Sequence, residues 1–386
     1  MFKQLNLLIL VNGWSARIIS GGDYHILRVM KEWVKSYKIA LVIPLIGFQS
    51  CQHMLSDKYK IYISSKESEG VDSAHAMTSY VKRIIKTLLL RFSEKPDVIV
   101  CSSHLLYDTL PGFIMKLRFR SKLVVYVHHI LSEYSQDRSD IFSKISIIAE
   151  RLSLPLARHA ELILVVNQQV KESLVSKGFD RNKIILTSNG LDYETIESIR
   201  PIPDQIYDGC FCGRLVRTKG IFDLIEIWKL VTNRCPSSKL VIIGDGPEFK
   251  DLEETIKNAG LDENIVMKGF ITETEKFRTM YQSRIFVFPS YEEGWGIAIA
   301  ESLACGLEVV SYDLPAYKND NERFTKVEKG NIVKMADVIL NLISSYGLDK
   351  SKRRSIADKT PAPDWGKVAT GELAHITKLT VNSNGR

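Results

Sequence analysis

Short apolar runs of strand length alternate with longer helical patterns along this chain of 386 residues. Strands that alternate with helices form βαβ units, in which helices cover both faces of a parallel sheet. The predicted strands are residues 5–11, 39–43, 98–101, 123–127, 162–166, 239–243, 265–267, 285–288 and 309–311. The principal predicted helices are residues 23–36, 143–158, 221–232, 248–259 and 297–304. The pattern therefore predicts an α/β protein.

The length of the chain favours two domains, since one core serves about 150 residues. A connection is predicted at residues 199–206, where Pro201 and Pro203 interrupt any helix. The predicted first domain is residues 1–199, and the second is residues 200–360. No fixed-period repeat or low-complexity tract appears.

Composition excludes several classes of protein. Hydrophobic residues make up 45% and charged residues 25%, as in a soluble enzyme. No apolar run approaches the ~20 residues that cross a bilayer, and the turn Asn12-Gly13 makes residues 5–11 a buried strand instead of a signal peptide. Six scattered cysteines form no C-x-x-C pair or zinc spacing. They predict reduced thiols, no metal and a cytoplasmic location.

The net charge of +7 lies entirely in the first half of the chain. Residues 1–199 hold 26 Lys and Arg against 19 Asp and Glu, and the rest of the chain is balanced. Residues 80–92 mix cations with apolar residues at helical spacing, as interfacial helices do. A second basic cluster consists of Lys116, Arg118, Arg120 and Lys122. Either this half meets a polyanion or the inner face of a membrane, or residues 80–92 are an ordinary helix with a solvated basic face.

Residues 288–306 carry the strongest chemical signal. Glu293 and Glu301 lie eight positions apart, a span of about 12 Å if the segment were wholly helical. Carboxylate pairs that hydrolyse glycosidic bonds lie only roughly 5–9.5 Å apart. The two acids therefore suit opposite ends of an elongated ligand. Gly294 and Gly296 would let the backbone approach such a ligand, and helix N–H groups would point at it.

Two other glycine-rich segments follow predicted strands. Residues 213–220 read G-R-L-V-R-T-K-G, and a bidentate Arg plus a Lys can stabilise a departing diphosphate. Residues 240–248 end in G-D-G-P-E, which invites a dinucleotide-binding interpretation. However, Phe249 stands where G-x-G-x-x-G needs glycine, which weakens the oxidoreductase alternative. No Walker A sequence occurs.

The segment P-S-x-x-E-G-x-G-x-x-x-x-E closely resembles the E-x7-E signature of retaining glycosyltransferases of family 4. The resemblance implies the GT-B fold, in which two Rossmann-like α/β domains face each other across a cleft. It also implies Glu293 at the donor sugar, Glu301 on the ribose, and Arg214 with Lys219 at the diphosphate. Further residues are implied to bind substrate through the loop backbone or beside the base: Gly294, Trp295, Gly296, Ile297, Gly246 and Phe270.

The resemblance covers nearly the whole chain. Ser20–His25 is similar to the family's G-G-x-x-x-H loop, which implies substrate contacts for Gly21, Gly22 and His25. His128, at the end of a predicted strand, either touches the donor sugar or is a buried structural residue. Residues 361–386 look like the family's last helix, which packs back on the first domain. One departure is residues 311–317, which read S-Y-D-L-P-A-Y where many members have G-G-x-x-E.

The expected function is transfer of a hexose from a nucleoside diphosphate sugar to an acceptor hydroxyl with retained configuration, in polysaccharide or glycolipid synthesis. Neither a metal nor a cofactor is expected, since the donor is itself a substrate. The acceptor would be a sugar, a glycolipid or a lipid-linked sugar, and no nucleic acid is expected. The alternatives are a non-catalytic scaffold protein of the same fold and a GT-B sugar-nucleotide epimerase.

Overall fold

A computed structural model describes residues 4–14, 19–67, 73–133, 141–199, 204–317, 324–345, 350–358 and 362–381. The chain divides into two compact units, Met1–Gly190 with Pro363–Arg386 and Leu191–Ala362. The division falls before the boundary predicted after residue 199, because Leu191, Ile196 and Ile199 pack in the core of the second unit. Pro201 and Pro203 of the predicted connection lie outside the described residues.

The first unit contains a seven-stranded parallel sheet. Its strands are β1 (Asn6–Leu10), β2 (Lys38–Ile43), β3 (Lys60–Ile63), β4 (Val98–Cys101), β5 (Lys122–Val127), β6 (Leu162–Val165) and β7 (Ile184–Leu186). They lie in the order β3-β2-β1-β4-β5-β6-β7. Leu7 and Ile9 of β1 pack in one core, whereas Leu8 and Leu10 pack in another on the opposite face. Burial on both faces explains why the strands read as unbroken apolar runs.

Helices cover both faces of this sheet. They are α1 (Gly21–Trp33), α2 (Leu45–Cys51), α3 (Ser73–Leu89), α4 (Leu106–Phe119), α5 (Ile141–Ala157) and α6 (Gln168–Ser176). Met30 of α1 packs on the Leu7 side, and Met115 of α4 with Leu154 of α5 packs on the Leu8 side.

The basic segment 80–92 is helical only as far as Leu89, and one of its cations does not face solvent. Arg83 is fully buried and donates to the carbonyl of Asn12 at 2.8 Å and to Ser65 Oγ at 3.2 Å. Burial lowers the pKa of its guanidinium. Arg83 therefore lies outside the basic face of this helix, whereas Lys82 and Lys86 are exposed.

The second unit contains a six-stranded parallel sheet in the order β10-β9-β8-β11-β12-β13. These strands are β8 (Tyr207–Cys212), β9 (Leu240–Ile243), β10 (Ile265–Gly269), β11 (Ser283–Phe288), β12 (Glu308–Tyr312) and β13 (Thr325–Val327). Its helices are α7 (Tyr193–Ser198), α8 (Ile221–Arg234), α9 (Phe249–Asn258), α10 (Glu273–Tyr281), α11 (Ile297–Ala304), α12 (Ile332–Ser345) and α13 (Lys350–Asp358). The predicted parallel α/β architecture is confirmed in both units.

The last helix, α14 (Trp365–Val381), belongs to the first unit, as predicted. Trp33 of α1 donates its indole N–H to the carbonyl of Ala369 at 3.0 Å. The hydroxyl of Tyr37 lies 2.8 Å from the hydroxyl of Thr377. Gly190 lies so close to this helix that a Cβ would come within 2.8 Å of the backbone of Trp365.

Candidate functional site

Three loops meet at the carboxyl ends of β8, β9 and β11 in the second unit. Gly220 has a φ of +66°, and a Cβ on it would lie 1.8 Å from the carbonyl oxygen of Pro289. A Cβ on Gly246 would lie 2.2 Å from the carbonyl oxygen of Leu215. The loop of residues 213–220 therefore approaches both of the other glycine-rich motifs through its backbone. Open α/β sheets bind ligands at this edge.

Lys219 and Glu293 form an ion pair at this edge. The Lys219 ammonium contacts Glu293 Oε1 and donates to the carbonyl of Glu292 at 3.1 Å. Their side chains are 14% and 12% exposed, so both are largely withdrawn from water. The hydroxyl of Ser290 lies 3.3 Å from the same carboxylate oxygen. The chain thus brings together two residues predicted separately for the diphosphate and the sugar.

Arg214 lies on the same loop as Lys219, two residues after β8 ends. Its side chain is exposed, which leaves the guanidinium accessible to an incoming anion. Arg217, to which no role was assigned, extends into solvent and pairs with Glu248 at 3.3 Å.

Glu301 is buried within α11 and pairs with a different lysine. Lys276 of α10 places its ammonium 2.7 Å from Glu301 Oε1. Burial opposes the charge on Lys276, but Glu301, Cys212 and Glu273 outweigh it and raise the pKa of Lys276 to about 12. Lys276 could not be identified from the sequence, because its partner lies 25 positions further along the chain. Each carboxylate of the E-x7-E motif is therefore held by its own lysine.

The residues between Glu293 and Glu301 include the amino end of α11. Gly296 has a φ of +88° and precedes the helix without a side-chain cap, so the first N–H groups of α11 are left for other acceptors. Trp295 and Ile297 are half-buried beside it. Phe270 follows β10 and is 58% exposed, which suits a side chain that packs against a ligand.

In the first unit, the amino end of α1 adjoins the end of β5. A Cβ on Gly22 would lie 2.7 Å from the ring of His128, so glycine is needed for the two to approach. Gly21, exposed, begins the helix after Ser20, whose hydroxyl accepts from the N–H of Asp23. Burial, with His25 and His129 nearby, lowers the pKa of His128 well below 6.5. The ring is therefore neutral, and its Nε2–H donates to the carbonyl of Ser102 at 3.2 Å, which leaves Nδ1 as a hydrogen-bond acceptor.

His25 lies inside a polar cluster of the first unit. Its ring nitrogens contact Asn189 Oδ1 at 2.8 Å and Glu372 Oε1 at 2.9 Å, and the side chain is fully buried. Tyr126 and Thr187 donate to the same carboxylate at 2.7 and 2.6 Å. These contacts favour a structural role for His25, which ties α1 to α14, over the predicted contact with substrate.

We expect Glu372→Gln to lower the free energy of unfolding by about 1–3 kcal/mol, the usual cost of weakening buried hydrogen bonds. Burial opposes the charge on His25, but Glu372 outweighs it and raises the pKa above 6.5. The stabilisation is therefore fully present below pH 6.5 and is lost as the pH rises through the folded-state pKa. In urea unfolding, the free energies of the variant and the wild type should differ more in acidic than in alkaline buffer. Equal differences in the two buffers would contradict the role of Glu372 in stabilising charged His25.

Two features are absent from the described ranges of the chain. No helix there is both long and apolar enough to cross a bilayer, and no group of three or more His, Cys, Asp or Glu side chains could hold a metal ion. All six cysteines are free thiols.

Two family models match the chain in succession. The model "Glycosyltransferase Family 4" matches residues 19–195, and "Glycosyl transferases group 1" matches residues 192–360. Among solved structures, Anabaena HepE in complex with UDP and glucose has a TM-score of 0.72 at 17% identity, covering 97% of this chain and 100% of that one. At this identity the likeness concerns the fold.

Two curated relatives are similar to most of the chain. A phosphatidylinositol N-acetylglucosaminyltransferase component from Arabidopsis thaliana is 25% identical over 75% of this chain and 64% of the relative. The capsular polysaccharide biosynthesis glycosyltransferase CapM of Staphylococcus aureus is 23% identical over 73% and 75% respectively. The chain spans less than two thirds of the length of the first curated relatives that it matches. With both family models matched and both Rossmann-like units present, the chain belongs to glycosyltransferase family 4 and has the GT-B fold.

Proposed function

We propose that this glycosyltransferase transfers a hexose from a nucleoside diphosphate sugar to an acceptor hydroxyl with retained anomeric configuration and without a metal ion. The observation that carries the proposal is the edge of the second sheet, where Lys219, Glu293 and Arg214 lie on adjoining loops. A diphosphate binds to cations, and a sugar donates hydrogen bonds to acceptors such as carboxylates. A site for a nucleoside diphosphate sugar needs both kinds of group close together.

Glu301 supports a nucleotide at the same edge. Its carboxylate is fixed by Lys276, which leaves a rigid acceptor for a pair of ribose hydroxyls. The uncapped N–H groups at the start of α11 lie between Glu293 and Glu301 in sequence and would face negative charge on the donor.

In the proposed reaction, the bond between the anomeric carbon and the diphosphate oxygen breaks while the acceptor oxygen bonds to the same face of that carbon. The acceptor proton passes to the departing phosphate, so no external base is consumed. Arg214 and Lys219 stabilise the charge that develops on the leaving group, and Glu293 orients the sugar. Positioning and electrostatic stabilisation are thus the protein's contribution.

The acceptor side of the proposal rests on charge and on the relatives. The plant relative is named for phosphatidylinositol glycosylation and the bacterial one for capsular polysaccharide. We accordingly propose a sugar, glycolipid or lipid-linked acceptor in polysaccharide or glycolipid synthesis. The surplus of positive charge in residues 1–199 supports a cytoplasmic protein that is peripheral on the inner face of the membrane.

Incubation with a panel of sugar nucleotides, followed by proton NMR, tests this function. Donor hydrolysis, or transfer to an added sugar with an unchanged anomeric coupling constant, is expected. An inverted anomer would refute retention, and an epimerised donor would favour the epimerase. No turnover with any donor would favour the scaffold alternative. We expect turnover, because a scaffold has no need for Arg214, Lys219, Glu293 and Glu301 together.

A thermal-shift screen should identify the base. A nucleoside diphosphate present at 100 times its dissociation constant adds about 2.7 kcal/mol to the free energy of unfolding. We expect one of UDP, GDP and ADP to raise the melting temperature clearly more than the other two. If none of them shifts it at millimolar concentration, the second unit is not a nucleotide site.

A further inference from the structure

Exposed aliphatic side chains concentrate on one layer of helices in the first unit. Of the twelve large hydrophobic side chains that are exposed in the described residues, seven lie on α3, α4 and α5, at exposures between 38% and 75%. They are Val81, Ile85, Leu89, Ile114, Leu117, Ile148 and Leu152. Soluble surfaces scatter such residues singly, so a cluster marks an interaction site.

The three helices are neighbours on one face of the sheet. α4 packs against both α3 and α5, and Arg118 of α4 donates to the carbonyl of Leu88 in α3 at 3.2 Å. On α3, Val81, Ile85 and Leu89 recur every four residues, which places them in one stripe along the helix. The exposed aliphatic side chains thus lie on the side of the layer that faces away from the sheet.

The charges of this layer have a single sign at its surface. Five exposed cations lie among the aliphatic side chains: Lys82, Lys86, Arg118, Lys144 and Arg151. The sequence of the three helices contains only two carboxylates, Asp108 and Glu150, and both are fully buried. Asp108 accepts from the N–H of Asn12 at 2.9 Å, and Glu150 pairs with His104 at 2.8 Å. No acidic side chain of α3, α4 or α5 is therefore left at this surface.

We propose that these seven aliphatic and five basic residues, the α3–α5 surface, dock on an anionic lipid bilayer. Aliphatic side chains can enter the acyl boundary while lysine and arginine contact phosphate headgroups. A second copy of the chain fits less well, because a two-fold interface would place the same cations opposite one another. This inference rests on the membrane association proposed above and assigns it to named residues.

Sedimentation of the full chain with vesicles tests the docking. We expect binding to phosphatidylcholine vesicles that contain phosphatidylglycerol, much weaker binding to phosphatidylcholine alone, and a loss of affinity as salt is raised. Lys82→Gln with Lys86→Gln should weaken binding about 30-fold, since each cation near an anionic surface contributes about a factor of five. Ile85→Gln with Leu89→Gln should weaken it about tenfold or more, through loss of apolar burial.

A matched control separates this surface from overall charge. Lys229→Gln with Lys250→Gln removes two exposed lysines of the second unit and should leave vesicle binding unchanged. Nucleotide affinity, measured on the same variants, should stay at the wild-type value, so failure of docking and failure of the transfer proposal are distinguishable. The inference is overturned if wild type ignores anionic vesicles or if the control pair loses binding equally. It is also overturned if ultracentrifugation shows a dimer that the α3 variants dissociate.

Discussion

Lys219→Ala is expected to lower turnover by roughly 10²–10³-fold, the cost of removing one preorganised group that stabilises developing charge. The loss has two sources. The departing diphosphate loses a cation, and Glu293, only 12% exposed, is left with a negative charge beside the leaving group. Steady-state transfer or donor hydrolysis measures the effect, and Arg214→Ala should give a loss of similar size.

Arg217→Ala is the matched control, since it removes a cation from the same loop. Its side chain is 70% exposed and paired with Glu248, a contact worth at most about 1 kcal/mol. We expect near-normal turnover from this variant. A folded Lys219→Ala protein that works at the wild-type rate would remove Lys219 from the mechanism.

Glu301→Ala is expected to lower the free energy of unfolding by about 3 kcal/mol and also to weaken nucleotide binding. The stability loss arises because Lys276 keeps its charge with its side chain only 14% exposed. We place the loss at the low end of the range for breaking buried pairs, since Glu273 lies 4.0 Å from the same ammonium. Urea unfolding measures this loss of stability. The same loss would obscure any role of Glu301 in binding the ribose.

The double variant Glu301→Gln with Lys276→Met separates the two effects, because it leaves no buried charge unpaired. It should unfold near the wild-type denaturant midpoint yet bind the nucleoside diphosphate about 10–100-fold more weakly, the cost of losing hydrogen bonds to a charged group. Glu273→Gln serves as the control and should bind normally. Wild-type affinity in the double variant would rule out the ribose contact.

The strands could be predicted from sequence because burial on both sheet faces demands unbroken apolar runs, as in residues 98–101 and 285–288. The edge strands β3 and β7 were missed, because they have only four and three residues and are partly exposed, so neither requires a long apolar run. The glycine-rich motifs indicated which loops could approach a ligand closely, because close backbone contact permits no side chain. Gly220 makes such a contact within the protein, with the carbonyl of Pro289, and the approach to a ligand stays a prediction.

Partners that are distant in sequence could not be predicted. Lys276 looks like any solvated lysine in the first turns of α10, and only the fold places it against Glu301. Arg83 lies in sequence between the exposed Lys82 and Lys86, and periodicity alone does not tell which of these cations is buried. The burial of His25 likewise depends on Glu372, 347 residues later.

The central claim is that the carboxyl edge of the second sheet holds a nucleoside diphosphate sugar between two lysine-held carboxylates. A crystal structure of the protein with its bound nucleoside diphosphate tests it most directly. We predict Lys219 Nζ and the Arg214 guanidinium within about 3 Å of diphosphate oxygens, and Glu301 within about 3 Å of the ribose hydroxyls. A nucleotide bound with its diphosphate away from Lys219 and its ribose away from Glu301 would contradict the account.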